Sequence, residues 1–340
     1  MAFEVSRLGE INEVGSAYLA LFLKIFAGEV LNSYNDKAVM LPRTRVKSIT
    51  SGKSAQFPAI GTTTAVYHTV GADILDADAS YLDSIKHAER IIGIDEQLTS
   101  NIFVAEIDEM MNHYETRSEY AKQMGIALAN KADQQIMQVL ALAAAHAANI
   151  TGGDGGGNVN GGATLATDMS LFADACYEAQ SILDQKNVPA EDRFVLVTPD
   201  IYWRLVRMGG AYGSVGGGPP VELLDKDFSV NNGDVAGGRI VKIGGLTIVP
   251  SNIWDTIDGI DVSNSDASER GIEGTTNYDV NLSTTVALVW QKGAVGTVKM
   301  RDISLQTQYW LPRLGTLMVA KHLMGHGILR PECAITLKAA

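Results

Sequence analysis

One segment constrains this chain more than any other: Ile107 to His146 reads as a single helix. Apolar or small residues recur at 107, 110, 114, 121, 124, 128, 132, 136, 139 and 140, in steps of three or four with one gap at Arg117. No proline interrupts the pattern, and Gly125 is its one helix-weakening residue. Roughly 40 residues at 1.5 Å each make a rod on the order of 60 Å. Ordinary globular helices are a fraction of that length, so everything else has to be arranged along this one. Its first half is charged and its pattern is amphipathic, which argues against a membrane span. Its last turns, LALAAAHAA, carry small side chains that permit close packing.

The segments around the rod differ in character. Ala17 to Leu31 predicts a short helix with apolar residues at 18, 19, 22, 23, 26 and 30. Val46 to Tyr67 is rich in Ser, Thr and Gly and contains Pro58, which predicts extended strands or a long hairpin-like loop. Ile91 to Ile94 predicts a short strand. After the rod, Thr151 to Gly162 holds seven glycines and predicts a flexible connector into a second domain. There, Ser170 to Gln185 predicts an amphipathic helix and Arg193 to Thr198 a buried strand. Thr198-Pro199-Asp200 is a helix start: a hydroxyl cap, proline at the first position, and an acid in the first turn. Gly209 to Pro220 reads as a loop. Arg239 to Ile243 and Leu246 to Val249 make a hairpin turning on Gly244-Gly245. Asp255 to Tyr278 is an acidic excursion. In Thr297 to Gln306 the apolar alternation changes phase at Arg301-Asp302, which predicts a bulge. Leu317 to Leu323 and Ala334 to Leu337 predict further strands, returning to pack beside the long helix.

Charge narrows the function. The net charge of −12 argues against a dedicated DNA-binding surface, which needs clustered Lys and Arg. The charge is also unevenly spread. Lys37, Arg43, Arg45, Lys47 and Lys53 run without an acid between them; Asp73, Asp76, Asp78 and Asp83 follow within eleven residues. Asp255 to Asp279 holds seven acids against Arg270 alone, and from Asn281 onward seven cations face two acids. Such blocks are either solvated faces or basic and acidic segments that meet on neighbouring copies. The two cysteines, Cys176 and Cys333, form no Cys-x-x-Cys pair, which fits a reducing compartment. The N-terminus, MAFEVSRLGEINEVG, lacks a basic-then-apolar signal pattern and predicts a soluble chain that is not secreted.

No constellation supports an enzyme. Ser51-Gly52-Lys53-Ser54 ends like a phosphate-binding loop, but the position five before Gly52 is Lys47 rather than Gly. Pro58 falls where the following helix should be under way. His322 and His326 have zinc-protease spacing without the intervening Glu, and Gly325 argues for a turn between strands there. Asp76, Asp78 and Ser80 begin like a calcium loop, but Tyr81 and His87 stand at its glycine and closing-glutamate positions. Glu109 and His113 share a helix face without a second such pair, and no Gly-x-Ser-x-Gly elbow occurs. No catalytic, cofactor-binding or metal-ligating set is expected.

Six stretches, in order along nearly the whole chain, carry a resemblance: LALFLKIFAGEVL (19–31), SGKSAQFP (51–58), MNHYETRSEYAKQMG (111–125), NVPAEDRFVLVTPDIY (187–202), AVGTVKMRD (294–302) and MGHGILRPE (324–332). Together they resemble the major capsid proteins of T-seven-like short-tailed phages, the autographivirus-type podophages. The resemblance implies an α+β chain with the Hong Kong 97-type capsid fold. It implies an N-terminal arm (1–45), an extended β loop (46–90), and a discontinuous peripheral domain of long spine helix plus β-sheet (91–150 and 290–340). An α/β axial domain would take 151–289.

The function so implied is structural: self-assembly into hexamers and pentamers of an icosahedral head around double-stranded DNA. The expected partners are other copies of itself, a scaffolding protein, a portal, and packaged DNA weakly on the inner face, with no membrane. The expected location is the virion capsid, assembled in the host bacterial cytoplasm. Candidate intersubunit contacts are Arg43, Arg45, Lys47 and Lys53, meeting Asp73, Asp76, Asp78 and Asp83 of an adjacent copy. The shell of a cellular nanocompartment with the same fold is the alternative, and a nucleotide-binding enzyme a remote one. Some relatives of the fold join Lys to Asn between subunits, and Lys53 lies in a suitable loop for that.

Overall fold

The computed structural model describes residues 29–35, 37–61, 63, 65–71, 73, 85–107, 116–149, 153–208, 242–252, 278, 280 and 282–339. In chain order the strands are β1 (Arg45–Ser48), β2 (Ser54–Ile60), β3 (His87–Gly93), β4 (Leu98–Ala105), β5 (Gly157–Asn160), β6 (Arg193–Val197), β7 (Lys242–Ile243), β8 (Leu246–Pro250), β9 (Thr285–Gln291), β10 (Val295–Trp310), β11 (Gly315–Ile328) and β12 (Ala334–Lys338). The labelled helices are α1 (Thr116–Ala145), α2 (Met169–Gln185) and α3 (Pro199–Met208).

The long helix is present as α1, 30 residues and so about 45 Å. Residues 108–115 and 17–28, where the rod and the first predicted helix would begin, lie outside the described residues. The small and apolar positions of α1 form one continuous buried stripe with two partners. Ala121, Met124, Leu128 and Ala129 join Met318, Ala320 and Met324 of β11 and Val104 of β4. Farther along, Ile136, Met137, Leu140 and Ala144 join a larger core with β6, β8, β9 and β12. The helix is therefore the shared wall of two cores. Gly125 is its crossing point: a Cβ there would stand 2.6 Å from Val30 O and 2.8 Å from Ser33 Cβ, so only glycine admits the helix at 29–35 so closely.

Two sheets lie along this wall. The first has strand order β1-β10-β11-β4, with β1 parallel to β10 and the other pairs antiparallel. The β10–β11 register shifts between Lys299 and Arg301 and again between Arg301 and Ser304, at the predicted phase change. The second has order β5-β12-β9-β6-β8-β7. Thr285 to Trp290 of β9 and Ala334 to Leu337 of β12 are buried at every position, so both faces of this sheet are covered. Asp168 caps α2, its Oδ1 accepting from Ser170 N at 3.0 Å, and α3 begins as expected, Thr198 Oγ1 accepting from Ile201 N at 3.4 Å. Gly244 and Gly245 turn the β7–β8 hairpin with positive φ of 52° and 88°.

Four expectations change. Leu98 to Ala105, left without an element, is β4; Leu98, Ile102 and Val104 lie on its inward side and pair with β11. The glycine-rich connector is not wholly irregular: Gly157 to Asn160 pairs parallel with β12 and buries Val159. His322 and His326 sit within β11, not in a turn. The strands expected as one closing group divide between the sheets, β10 and β11 in the first and β12 in the second.

The third assembly of strands belongs to neither sheet. β2 and β3 form an antiparallel ribbon from Ser54↔Gly93 at its base to Ile60↔His87. Such a pair has little stability by itself. No helix among the described residues is long and apolar enough to cross a membrane.

Candidate assembly interface

The ribbon is fastened to the first sheet by a patch of glycine. A Cβ at Gly325 of β11 would overlap Gly93 O and lie 2.9 Å from Ile94 Cα. A Cβ at Gly296 of β10 or Gly327 of β11 would press on Ile92 at 2.8 Å. The missing side chains leave a saddle in which the end of β3 sits against the sheet. Around it, Ala55, Ile92, Ile94, Val298 and Leu329 form a small core. Ile94 N donates to Lys53 O at 2.9 Å, tying the ribbon's two ends together. Lys47 of β1 donates to Gln56 O at 3.1 Å and lies 4.9 Å from the Phe57 ring centroid. The Ser51-Gly52-Lys53-Ser54 tetrapeptide turns the chain into β2. Gly52 has φ of +105°, a conformation that L side chains rarely adopt, and a strand follows where a phosphate loop would have a helix.

A buried polar seam runs beside the saddle. Thr44 Oγ1 donates to Leu41 O at 2.9 Å and lies 3.2 Å from Thr297 Oγ1, which lies 3.0 Å from His326 Nδ1. With the Thr44 proton used on Leu41, Thr297 donates to Thr44 and accepts from His326, which fixes the proton on Nδ1. Tyr278 OH donates to Asp95 and accepts from His326 N at 3.3 Å. Burial raises the Tyr278 pKa, with Asp95 adding to it, and so keeps the phenol a donor. His322 stands edge-on to Tyr34, with ring centroids 6.0 Å apart. Burial pushes His322 down to about 4, with Lys299 assisting and Asp302 opposing. Burial likewise pushes His326 down to about 3, with His322 assisting. Both rings are neutral parts of the core. Among the described residues, no group of three or more His, Cys, Asp or Glu is placed to hold a metal ion.

The candidate cations divide. Arg43 is half-buried: its guanidinium donates to Val39 O and lies 5.6 Å from the Phe194 centroid, and burial lowers its pKa. Lys47 serves the ribbon. Arg45 and Lys53 are exposed and have no side-chain hydrogen bond or ion pair among the described residues. Asp73 is exposed; Asp76, Asp78 and Asp83 lie outside the described residues.

The structure adds Asp133, an acid set within the apolar stripe of α1. It falls beside Ala132 and one turn from Ala129 and Met137, inside the buried stripe of α1. Its carboxylate accepts from Val39 N at 2.7 Å and Met40 N at 3.1 Å, so the chain entering β1 is pinned to the spine. Burial raises its pKa to about 6, while those hydrogen bonds and Arg43 pull the other way.

Two exposed apolar groups lie at extremities. Tyr67 and Val70, each 99% exposed, and Ile60 mark the far part of the ribbon. Tyr309, Trp310, Leu311 and Leu314 occupy the turn joining β10 to β11. There the Arg313 guanidinium lies 5.2 Å from the Trp310 centroid, and Tyr309 OH donates to Glu106 at 2.7 Å. An apolar turn is unusual on a chain that stands alone, and such patches mark contact surfaces. The run YWLPRL was the available signal in the sequence.

A family model described as Gp10A-like major capsid protein matches residues 56–338. The major capsid protein of Enterobacteria phage T3 is 33% identical over 336 residues, covering 93% of this chain and 90% of that protein. That of Escherichia phage T7 is 34% identical over 330 residues, covering 93% and 91%. Among solved structures, the capsid of cyanophage P-SCSP1u superposes with a TM-score of 0.70 at 35% identity, covering 100% of this chain and 99% of that one.

Proposed function

This chain belongs to the Gp10A-like major capsid protein family, and on that premise we propose how its parts build a shell. It is a structural protein with the phage capsid fold of the Hong Kong 97 type, a major capsid protein like those of T7-like phages. Identity of 33–34% across 93% of the chain favours the phage shell over a cellular compartment sharing only the fold. The wall of the shell is α1 with its two sheets. The β2–β3 ribbon and the β10–β11 turn reach neighbouring copies, so each copy gives one patch and receives another. Such heterologous contacts close into rings. Individually weak contacts then suffice, because each copy is held by several neighbours at once.

The division into arm (1–45), extended loop (46–90), peripheral domain (91–150 and 290–340) and axial domain (151–289) belongs to this proposal. So do hexamers and pentamers as the units of the icosahedral head, a scaffolding protein, a portal, weak contact with DNA inside, and assembly in the host cytoplasm. Of the charged candidates, Arg45 and Lys53 are the free cations for an adjacent copy's acids, because Arg43 and Lys47 already serve their own copy. The exposed, self-insufficient ribbon is the observation that carries this reading. Electron microscopy of the expressed chain, with and without its scaffold, tests it: closed shells are expected, and dispersed subunits under both conditions overturn it. The double variant Arg45→Glu, Lys53→Glu should fold normally but assemble poorly; normal shells from it would remove both residues from the interface.

A further inference from the structure

A cleft of about 420 Å³ lies between the ribbon and the body of the subunit, and its chemistry is that of an anion site. Three guanidinium groups line it: Arg45 from β1, Arg90 from β3, and Arg330 from the turn before β12. They come from three separate segments, so the fold rather than a local charge run brings them together. Arg90 Nη2 lies 2.9 Å from His146 Nε2. His146 Nδ1 lies 2.6 Å from Ala147 O and so carries the ring proton, which makes Nε2 the acceptor. Arg90 is thus aimed by a neutral ring, and its buried Nε has no acceptor. Arg45 has no hydrogen bond or ion pair among the described residues. Among the described residues, Arg330 alone of the three has a carboxylate, with Nε 3.2 Å from Glu332 Oε1.

We propose that this cleft binds one carboxylate side chain of a second copy of this chain. A positive lining, guanidinium geometry and the acidity of the chain itself favour that ligand. Three arginines face two lining acids, Asp154 and Glu332, and Lys186 adds a fourth positive charge beside both acids. The surplus is near two positive charges, which an incoming carboxylate reduces without cancelling. Planar guanidinium groups also match carboxylate geometry in two-point hydrogen bonding. The chain supplies such groups in excess, 39 acids against 27 cations, and its longest acidic excursion holds seven of them between Asp255 and Asp279. We assign the donor to that stretch. The proposal deepens the assembly reading and rests on it: a second copy seated here would lock the ribbon to the body as the shell closes.

The test uses Arg45→Lys and, separately, Arg330→Lys, which keep the charge but add an amine that couples to nearby carboxylates. Shells are assembled from equal parts of ordinary and heavy-nitrogen-labelled chain, treated with a water-soluble carbodiimide, digested and read by mass spectrometry. A cross-link of mixed isotope from position 45 or 330 to an acid within 255–279 is expected. Links confined to one copy, or no link, overturn the proposal. A mixed-isotope link to another acid keeps the site and overturns its assignment to that stretch. Arg45→Gln and Arg90→Gln should each raise the subunit concentration needed for shell formation about tenfold, the loss of one charge-assisted contact; an unchanged threshold in both opposes the site. Shells absent from the unsubstituted chain would instead overturn the assembly reading itself.

Discussion

Acid should loosen the subunit through its two buried histidines. An unfolded chain carries histidine with a pKa near 6.5, whereas His322 and His326 titrate near 4 and 3 in place. As pH falls below 6.5 the unfolded chain therefore takes up protons that the native chain refuses, and stability is lost. Each pH unit between folded and unfolded values is worth about 1.4 kcal/mol, so each ring withdraws about 3 kcal/mol by pH 4. Asp133 works in the opposite sense. Its folded pKa of about 6 lies above the ordinary 3.8, so protonation favours the native state as pH falls from 6 toward 4. That returns about 2.5 kcal/mol, leaving a net loss of about 4 kcal/mol at pH 4. Asp168 and Asp302 have lowered pKa values, so their contribution is lost only below the ordinary carboxylate range, outside this window. A loss of that size is a large part of a typical domain's stability. Urea denaturation of the unassembled subunit, followed by far-ultraviolet circular dichroism in steps from pH 7.5 to 4, reads it directly. His326→Gln should cost stability at neutral pH but flatten the acid slope by about 3 kcal/mol. Unchanged stability across the range, or a variant with the slope of the parent, would refute the argument.

Asp133→Ala should destabilise by about 1–3 kcal/mol, because two buried backbone N–H groups lose their acceptor; denaturation midpoints at pH 7.5 measure it. Trp310→Ser should leave the subunit's midpoint within about 0.5 kcal/mol, since the ring is half exposed, yet reduce shell yield in sedimentation.

Much of this fold is legible in the sequence, and the parts that are not share a cause. The stripe on α1, the cap of α3, the Gly244-Gly245 turn and the phase change in β10 are local patterns with local reasons. β5 is different. Gly-Asn-Val-Asn has almost no strand preference and is extended because β12 offers it an edge. His322 to Gly327 looks like a turn because of Gly325 and Gly327, but these glycines make room for β3, which comes from more than two hundred residues earlier. The contact residues follow the same rule. A run of cations between Lys37 and Lys53 is visible in the sequence. Arg43 and Lys47 are used on nearby carbonyls of Val39 and Gln56, but that Arg43 also lies by Phe194, and that Arg45 joins Arg90 and Arg330, depends on pairings no local window contains.

The glycine saddle gives the ribbon its aim, and this separates stability from assembly in a testable way. Each ribbon strand has seven residues, about 23 Å at 3.3 Å per residue, and the chain continues beyond it to Tyr67 and Val70. The ribbon is seated over a short base at Ile92 and Gly93, so a small displacement there is multiplied along its length. Gly325→Ala must displace that base, because its new Cβ would overlap Gly93 O, a backbone atom with no rotamer to escape into. Overpacking of this kind costs about 1–3 kcal/mol, which a folded subunit can survive. A shift of about 1 Å at the base becomes several ångströms at the far end by leverage, more than a closely packed contact tolerates. Gly325→Ala should therefore give a folded subunit that fails to form closed shells, and Gly325→Val should do so more severely. A Gly325→Ala chain that unfolds outright would mean the saddle serves the core, and one that builds normal shells would mean the ribbon's direction is set elsewhere.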